Sequence, residues 1–244
     1  MRGFGEIFKD TFNEYTEKFI HILKIFVFLY MIPVVVFSLI LMVLFVGTYS
    51  SLGLSFLKTG SFDLSEIVLN QETFLSLIPL FGGIFVFYLL LGIFYFLAAI
   101  SYIHTGFSKM KDISFDKSFA FARKNFWRFV GLTLLTILCI TPLFILLIIP
   151  GIIFWVFWAF SPYLLLSGND GAWDSMKKSK TLVKGRWWNI FGCMLLLFII
   201  MVVVSSVAGL IPFIGHIISS LVLTPFMILF FKNFYLDLKS GMKK

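Results

Sequence analysis

A chain of 244 residues that is 60% hydrophobic and 13% charged carries too much apolar surface for a water-soluble fold, where roughly half the residues are apolar and about a quarter charged. The net charge of +8 would suggest a polyanion partner if the cations were scattered, but they cluster at the borders of charge-free intervals, which argues against nucleic acid. Two cysteines, Cys139 and Cys193, both fall in apolar stretches and read as small buried hydrophobes rather than as a disulfide framework or a metal site.

In chain order, the first 24 residues carry Glu6, Asp10, Glu14 and Glu17, and no small-residue cleavage site follows the first apolar run. This segment is therefore expected to remain in the protein rather than act as a cleaved signal. Charges then vanish from Ile25–Leu57, Thr73–Ser108, Phe129–Asn169 and Trp187–Phe231. A membrane-crossing helix needs about 20 apolar residues, so the first two intervals hold one helix each and the last two each fold back as a hairpin. Six spans are predicted, near Ile25–Val46, Ile78–Ile103, Phe129–Ile148, Gly151–Ser167, Ile190–Leu210 and Phe213–Phe231. The expected fold class is an all-α polytopic membrane bundle, read as a single integral membrane domain over residues 1–244.

The chain also repeats itself. Offsets of 107 and then 61 residues bring Phe8, Phe115 and Met176 together, then the hydroxyls Thr11, Ser118 and Ser179, then Tyr15, Ala122 and Val183, then Phe19, Phe126 and Trp187. Steps of three, four and four residues trace one helical face. Each copy is expected to be a short amphipathic helix at the membrane interface. Phe12 and Phe119 extend the stripe, and Lys180 interrupts it in the third copy. Ile78-Pro79, Ile149-Pro150-Gly151 and Ile211-Pro212 are each expected to open an even-numbered span, because proline lacks only an N–H that the first helical turn leaves unpaired. A long outer segment, Thr48–Glu72, departs from the pattern in the first copy. The repeat units so defined run approximately over 4–103, 111–168 and 172–238.

With six spans both termini share a side. Of 20 Lys and Arg residues, only Lys58 falls on the opposite side; the net charges are +10 and −2. Short basic loops stay in the cytoplasm, so both termini and the basic connectors are expected there.

The candidate site residues are the cations and tryptophans where chain meets bilayer. They are Arg123, Lys124, Trp127 and Arg128 in the second copy, and Lys177, Lys178, Lys180, Lys184, Arg186, Trp187 and Trp188 in the third. Each juxtamembrane cation attracts anionic lipid by about 1 kcal/mol, and tryptophan prefers headgroup depth. None of the predicted spans contains Asp or Glu, which argues against a carboxylate-based ion carrier. Lys24 and Lys232 stand at span ends, where they are expected to snorkel to the interface. His21, His104 and His216 show no ligand spacing. Asp170 is expected to cap the helix that follows and Asp174 to sit in its first turn; the alternative is that the pair holds a divalent ion. Pro33, Pro142, Pro162 and Pro225 fall within or near spans and are expected to kink them. No phosphate-binding, nucleophile or zinc motif occurs, and no cofactor is expected.

The run from Ile149-Pro150-Gly151 through Pro162 to Ser179-Lys180-Thr181-Leu182-Val183-Lys184-Gly185-Arg186-Trp187-Trp188 resembles a loose group of bacterial multi-pass proteins. That group includes the membrane domain attached to some glycerophosphodiester phosphodiesterases and stand-alone relatives of uncharacterised role. The resemblance implies an inner-membrane protein; without a soluble phosphodiesterase domain, it implies no such activity. The expected function is non-enzymatic binding of anionic lipid and of a protein partner at the cytoplasmic face. The alternative is a transporter membrane subunit with a coupling helix at 170–186.

Overall fold

The computed structural model describes residues 2–59, 71–109, 113–210 and 214–241. Every regular element among them is helical. In chain order these are α1 (Phe4–Glu17), α2 (Phe19–Phe26), a π-turn (Val27–Met31), α3 (Ile32–Thr59), α4 (Gln71–Phe107), α5 (Phe115–Leu146), α6 (Ile148–Trp158), α7 (Ser161–Ser167), α8 (Ala172–Val183), α9 (Trp187–Gly209) and α10 (Ile214–Ser240). Among the described residues six stretches are long and apolar enough to cross a membrane: Phe19–Gly47, Phe81–Phe107, Phe115–Leu146, Ile148–Ser167, Trp187–Gly209 and Ser219–Ser240. Large apolar side chains stand open along them, with Val43 72%, Leu138 70% and Leu210 80% exposed. Water would not tolerate so much continuous apolar surface, whereas lipid chains cover it. The protein is an all-α polytopic membrane protein.

The chain forms two compact units: Met1–Phe26 with Phe96–Lys244, and Val27–Tyr95. In the smaller unit Phe37 meets Phe87 edge-to-face, with centroids 6.4 Å apart, and packs against Phe94. The π-turn lies just ahead of Pro33, whose ring is incompatible with an ordinary helical approach of the carbonyl four residues earlier; the widened turn absorbs that conflict.

In the larger unit α5 and α6 form a tight hairpin. Leu147 turns the chain in extended conformation, and Pro150 follows in the first turn of α6. Gly151 is required beside it, because the ring of Phe144 lies 2.7 Å from where a Cβ would stand. The fourth span is discontinuous. α6 ends at Trp158, Phe160 forms the joint, and Pro162 sits in the first turn of α7. α8 packs across α5, α6 and α7, while α1 lies along α10. The α1–α10 seam is aromatic, with Phe4 on Phe230, Phe8 on Phe226 and Tyr15 edge-on to Phe226.

Several expectations change. The second amphipathic copy is not a separate interfacial helix but the first turns of α5, continuous with the span, in a stretch with no glycine or proline between Phe115 and Val130. The first and third copies are separate, ending at Lys18 and at Lys184. Pro79 does not open the second span: α4 begins at Gln71 and carries Pro79 inside it, and α3 runs on to Thr59, so much of the outer segment is helical. Pro142 and Pro225 lie inside α5 and α10, within spans as expected. The Pro212 turn lies outside the described residues. Asp170 does not cap α8; Gly171 holds that position in extended conformation, and Asp174 does occupy the first turn.

Candidate functional site

The basic end of the larger unit is a closed ring of polar contacts. It starts from the three hydroxyls at equivalent repeat positions, Thr11, Ser118 and Ser179, which are all 1% exposed or less. Each touches the even-numbered span of the preceding copy. Thr11 accepts a bond from Asn233 Nδ2 of α10 at 3.1 Å. Ser118 Oγ lies 3.1 Å from His104 Nδ1 and 3.3 Å from Thr105 Oγ1, both on α4. Ser179 donates to the Phe157 carbonyl at 2.7 Å and accepts from the Phe160 N–H at 3.3 Å, bridging the break between α6 and α7.

Cations complete the ring by capping the ends of the same spans. Lys18 donates to the carbonyls of Thr105, Gly106 and Ser108 at 2.8, 3.1 and 3.0 Å. Arg128 reaches the Leu165 carbonyl in the last turn of α7 and the Gly168 and Asp170 carbonyls beyond it, the last at 2.8 Å. Arg186 donates to the Gly241 carbonyl after α10 at 3.3 Å. Carbonyls at a helix C-terminus have no intrahelical partner and carry partial negative charge, so each cation satisfies both needs. With the repeat offsets of 107 and 61, Lys18 and Arg186 are equivalent, and Asn125 stands between them in the second copy. Asn125 accepts from Arg128 Nη1 at 2.9 Å and so steers the cation supplied three residues later.

The ring closes where α1 meets α10. Glu14 lies between two ammonium groups, accepting from Lys18 at 2.8 Å and from Lys232 at 2.6 and 2.7 Å, with Asn233 donating at 2.9 Å. Lys18 and Lys232 are 5% and 4% exposed. Two positive charges, one carboxylate and the negative end of α4 leave little net charge behind. Burial alone would raise the Glu14 carboxyl; the Lys232 charge and the hydrogen bonds from Lys18 and Lys232 outweigh it and hold the group below the ordinary carboxylate range. Arg2 adds a second clasp by donating to Asp237, 7% exposed, at 3.0 Å and pairing with Asp10.

The cations and tryptophans singled out in the sequence divide into two groups. Arg128 and Arg186 turn inward as caps. Trp187 stacks on Phe191 with centroids 5.0 Å apart and donates to the Ile153 carbonyl. Lys178 pairs with Asp170 at 2.6 Å, so that carboxylate already has a counter-ion. Lys177 lies over Trp173, and Lys180 over Phe154 and Phe157 at 5.3 and 5.8 Å, which explains a lysine where the other copies place phenylalanine. Arg123, Lys124 and Lys184 are exposed and form no ion pair among the described residues. Trp127 and Trp188 are 79% and 77% exposed. Lys24 is exposed, as a snorkelling lysine should be, but Lys232 is buried against Glu14; α10 continues past it to Ser240.

The sequence reading did not identify Glu14, Lys18, Lys232, Asp237 or Arg2 as partners. One signal was legible: Glu14 and Lys18 are four residues apart on a helix, and Lys18 directly precedes the aligned Phe19.

Two adjoining cavities open at this end between α4, α5 and α7. One, of about 310 Å³, lies against Lys124, Asn125, Arg128 and Gly168. The other, of about 260 Å³, lies against Ile103, His104, Phe107 and Ser108. They share Phe121, Leu166 and Ser167. Among the described residues no cluster of His, Cys, Asp and Glu could hold a metal ion.

Residues 133–237 match the family model of a domain of unknown function, DUF7847. The match takes in the second part of α5 and all of α6 to α9, and reaches Lys232 and Asp237 in α10, but not their partners Glu14 and Arg2. Comparison with curated proteins and with solved structures gave no match.

Proposed function

We propose that this is a non-enzymatic, multi-pass protein of a bacterial cytoplasmic membrane, which gathers anionic lipid and holds a protein partner at a basic cytoplasmic face. The observation that carries the proposal is the exposed collar: Arg123, Lys124, Lys177 and Lys184 interleaved with exposed Trp127, Trp173 and Trp188 where the apolar spans begin. Ammonium and guanidinium groups at headgroup depth attract anionic lipid, and indole rings hold that depth. The partner would meet the exposed side of α8, whose opposite side is buried through Ser175, Met176, Ser179, Leu182 and Val183.

Neutralising Arg123, Lys124, Lys177 and Lys184 together, while leaving the caps Arg128 and Arg186 in place, is expected to abolish the enrichment of phosphatidylglycerol around the purified protein. Mass spectrometry of co-purified lipid reads this directly, and an unchanged lipid profile in a folded variant overturns the lipid half. Cross-linking from cysteines at Trp173 or Lys177 tests the partner half; adducts equal to those from a lipid-facing position such as Leu138 overturn it.

The transporter alternative has one observation in its favour. Ser179 of α8 is bonded to both sides of the break in the fourth span, so force on α8 from a nucleotide-hydrolysing subunit would reach a discontinuous helix. Co-purification of such a subunit, lost on changing the exposed Trp173 and Lys177, would select this alternative.

A further inference from the structure

The ring is uneven at one place. In the first and third copies a cation, Lys18 or Arg186, stands at the repeat position and reaches a span end directly. In the second copy the shorter Asn125 takes that position, and the cavity of about 310 Å³ opens beside it. The position four residues earlier holds Glu14 in the first copy, where it binds two lysines, and Phe121 in the second, where the ring forms cavity wall.

The cavity's chemistry is one-sided. Its lining contains Lys124 and Arg128 and no carboxylate. The nearest acid on the adjoining loop, Asp170, is engaged by Lys178 and uses its backbone carbonyl to hold Arg128. Arg128 is fixed by four hydrogen bonds from its two terminal nitrogens, so it presents a placed charge rather than a mobile one. Its Nε–H has no partner among the described residues, and the Lys124 ammonium forms no ion pair among them. Phe121 and Leu166 supply apolar wall leading to the second cavity at Ile103 and Phe107. A group with two or more anionic oxygens on an apolar body satisfies all of these features. The depth is also that of a headgroup, because exposed Trp127 lies between the two cations and the apolar part of α5 begins at Phe129.

We infer that the notch between α5 and α7 is a binding site for one phosphate ester group, held by Lys124 and Arg128, with its apolar remainder against Phe121 and Leu166. This rests on the lipid-gathering proposal above and sharpens it: the collar enriches anionic lipid in bulk, whereas the notch holds a single molecule.

The test uses the full chain in nanodiscs of phosphatidylcholine with phosphatidylglycerol, released for native mass spectrometry at rising activation energy. The wild type is expected to keep one phosphatidylglycerol after all other lipid has left. Lys124→Gln removes one charge, and Ser167→Phe fills the notch without altering charge; each is expected to lower that retention about tenfold or more, while Lys124→Arg retains it. Lys177→Gln with Lys184→Gln should reduce bulk enrichment but leave the single lipid in place. Equal retention in Lys124→Gln and Ser167→Phe overturns the site. So does a wild type that keeps no lipid, although bulk enrichment in that same sample would leave the collar proposal standing. Inorganic phosphate added to the nanodiscs separates the two sources of such a group. Loss of the retained lipid at millimolar phosphate assigns the notch to free phosphate species, and its persistence assigns it to the lipid.

Discussion

Lys232 lies between Phe231 and Asn233 on a helix whose neighbouring turns bury Phe230, Phe234 and Tyr235, yet its ammonium does not reach water. It is held by Glu14, and removing that carboxylate would leave the ammonium buried without a counter-ion. Glu14→Gln strands two ammonium groups and is expected to destabilise the protein by about 3–5 kcal/mol. Replacing Glu14 and Lys232 together with leucine should recover the part of that loss due to Lys232, whereas Lys18 is left with its three carbonyl partners alone; thermal melts in detergent compare the two. The same carboxylate sets an acid limit. Its folded value lies below its unfolded one, so its contribution is complete above the ordinary carboxylate range, about pH 4, and is lost as pH falls through the lowered folded value. Melting temperature is expected to drop on acidification below about pH 4, and to drop less in Glu14→Gln, which has no proton to take up there.

At the scale of elements, two features of α8 decide how the third copy sits. Ser179 supplies partners for backbone groups at the break of the fourth span, so Ser179→Ala leaves the Phe160 N–H buried without an acceptor, at a cost of about 1–3 kcal/mol. Ser179→Thr keeps the hydroxyl and serves as the control. Gly185, with φ of +82°, separates α8 from α9. Nothing lies near its missing Cβ, so Gly185→Ala is expected to cost only the backbone term, about 1–2 kcal/mol, and Gly185→Asn less. Both effects are read as shifts in melting temperature. The repeat stripe in the sequence located these elements because hydroxyl and apolar positions recur at helical spacing. It did not show that the second copy is fused to its span, since the first copy breaks at Lys18 with no glycine or proline to mark the break, and the second, equally without one, does not break.

For the whole molecule, orientation rests on charge. The sides expected to face in and out carry +10 and −2, and this bias is the support for the proposed cytoplasmic placement of the basic end. In a background lacking Cys139 and Cys193, a cysteine at Lys58 should react with an impermeant thiol reagent in intact cells, and one at Lys117 only after permeabilisation; the reverse result overturns the orientation. Six spans, their approximate limits and the all-α class were legible in the sequence, because hydrocarbon imposes its length and polarity on any chain that crosses it. Which cations face lipid and which are structural was not legible. Arg123 and Arg128 look alike in the sequence, and so do Lys24 and Lys232. They differ because the unpaired carbonyls at the ends of α4, α7 and α10, and the carboxylates of Glu14 and Asp237, are brought beside some of them by contacts across as many as 235 residues. The sequence by itself determined that this chain lives in a membrane and where its charges stand along it. The tertiary structure alone decided which of those charges close a ring and which stay exposed, since a charge is satisfied by what lies near it in space.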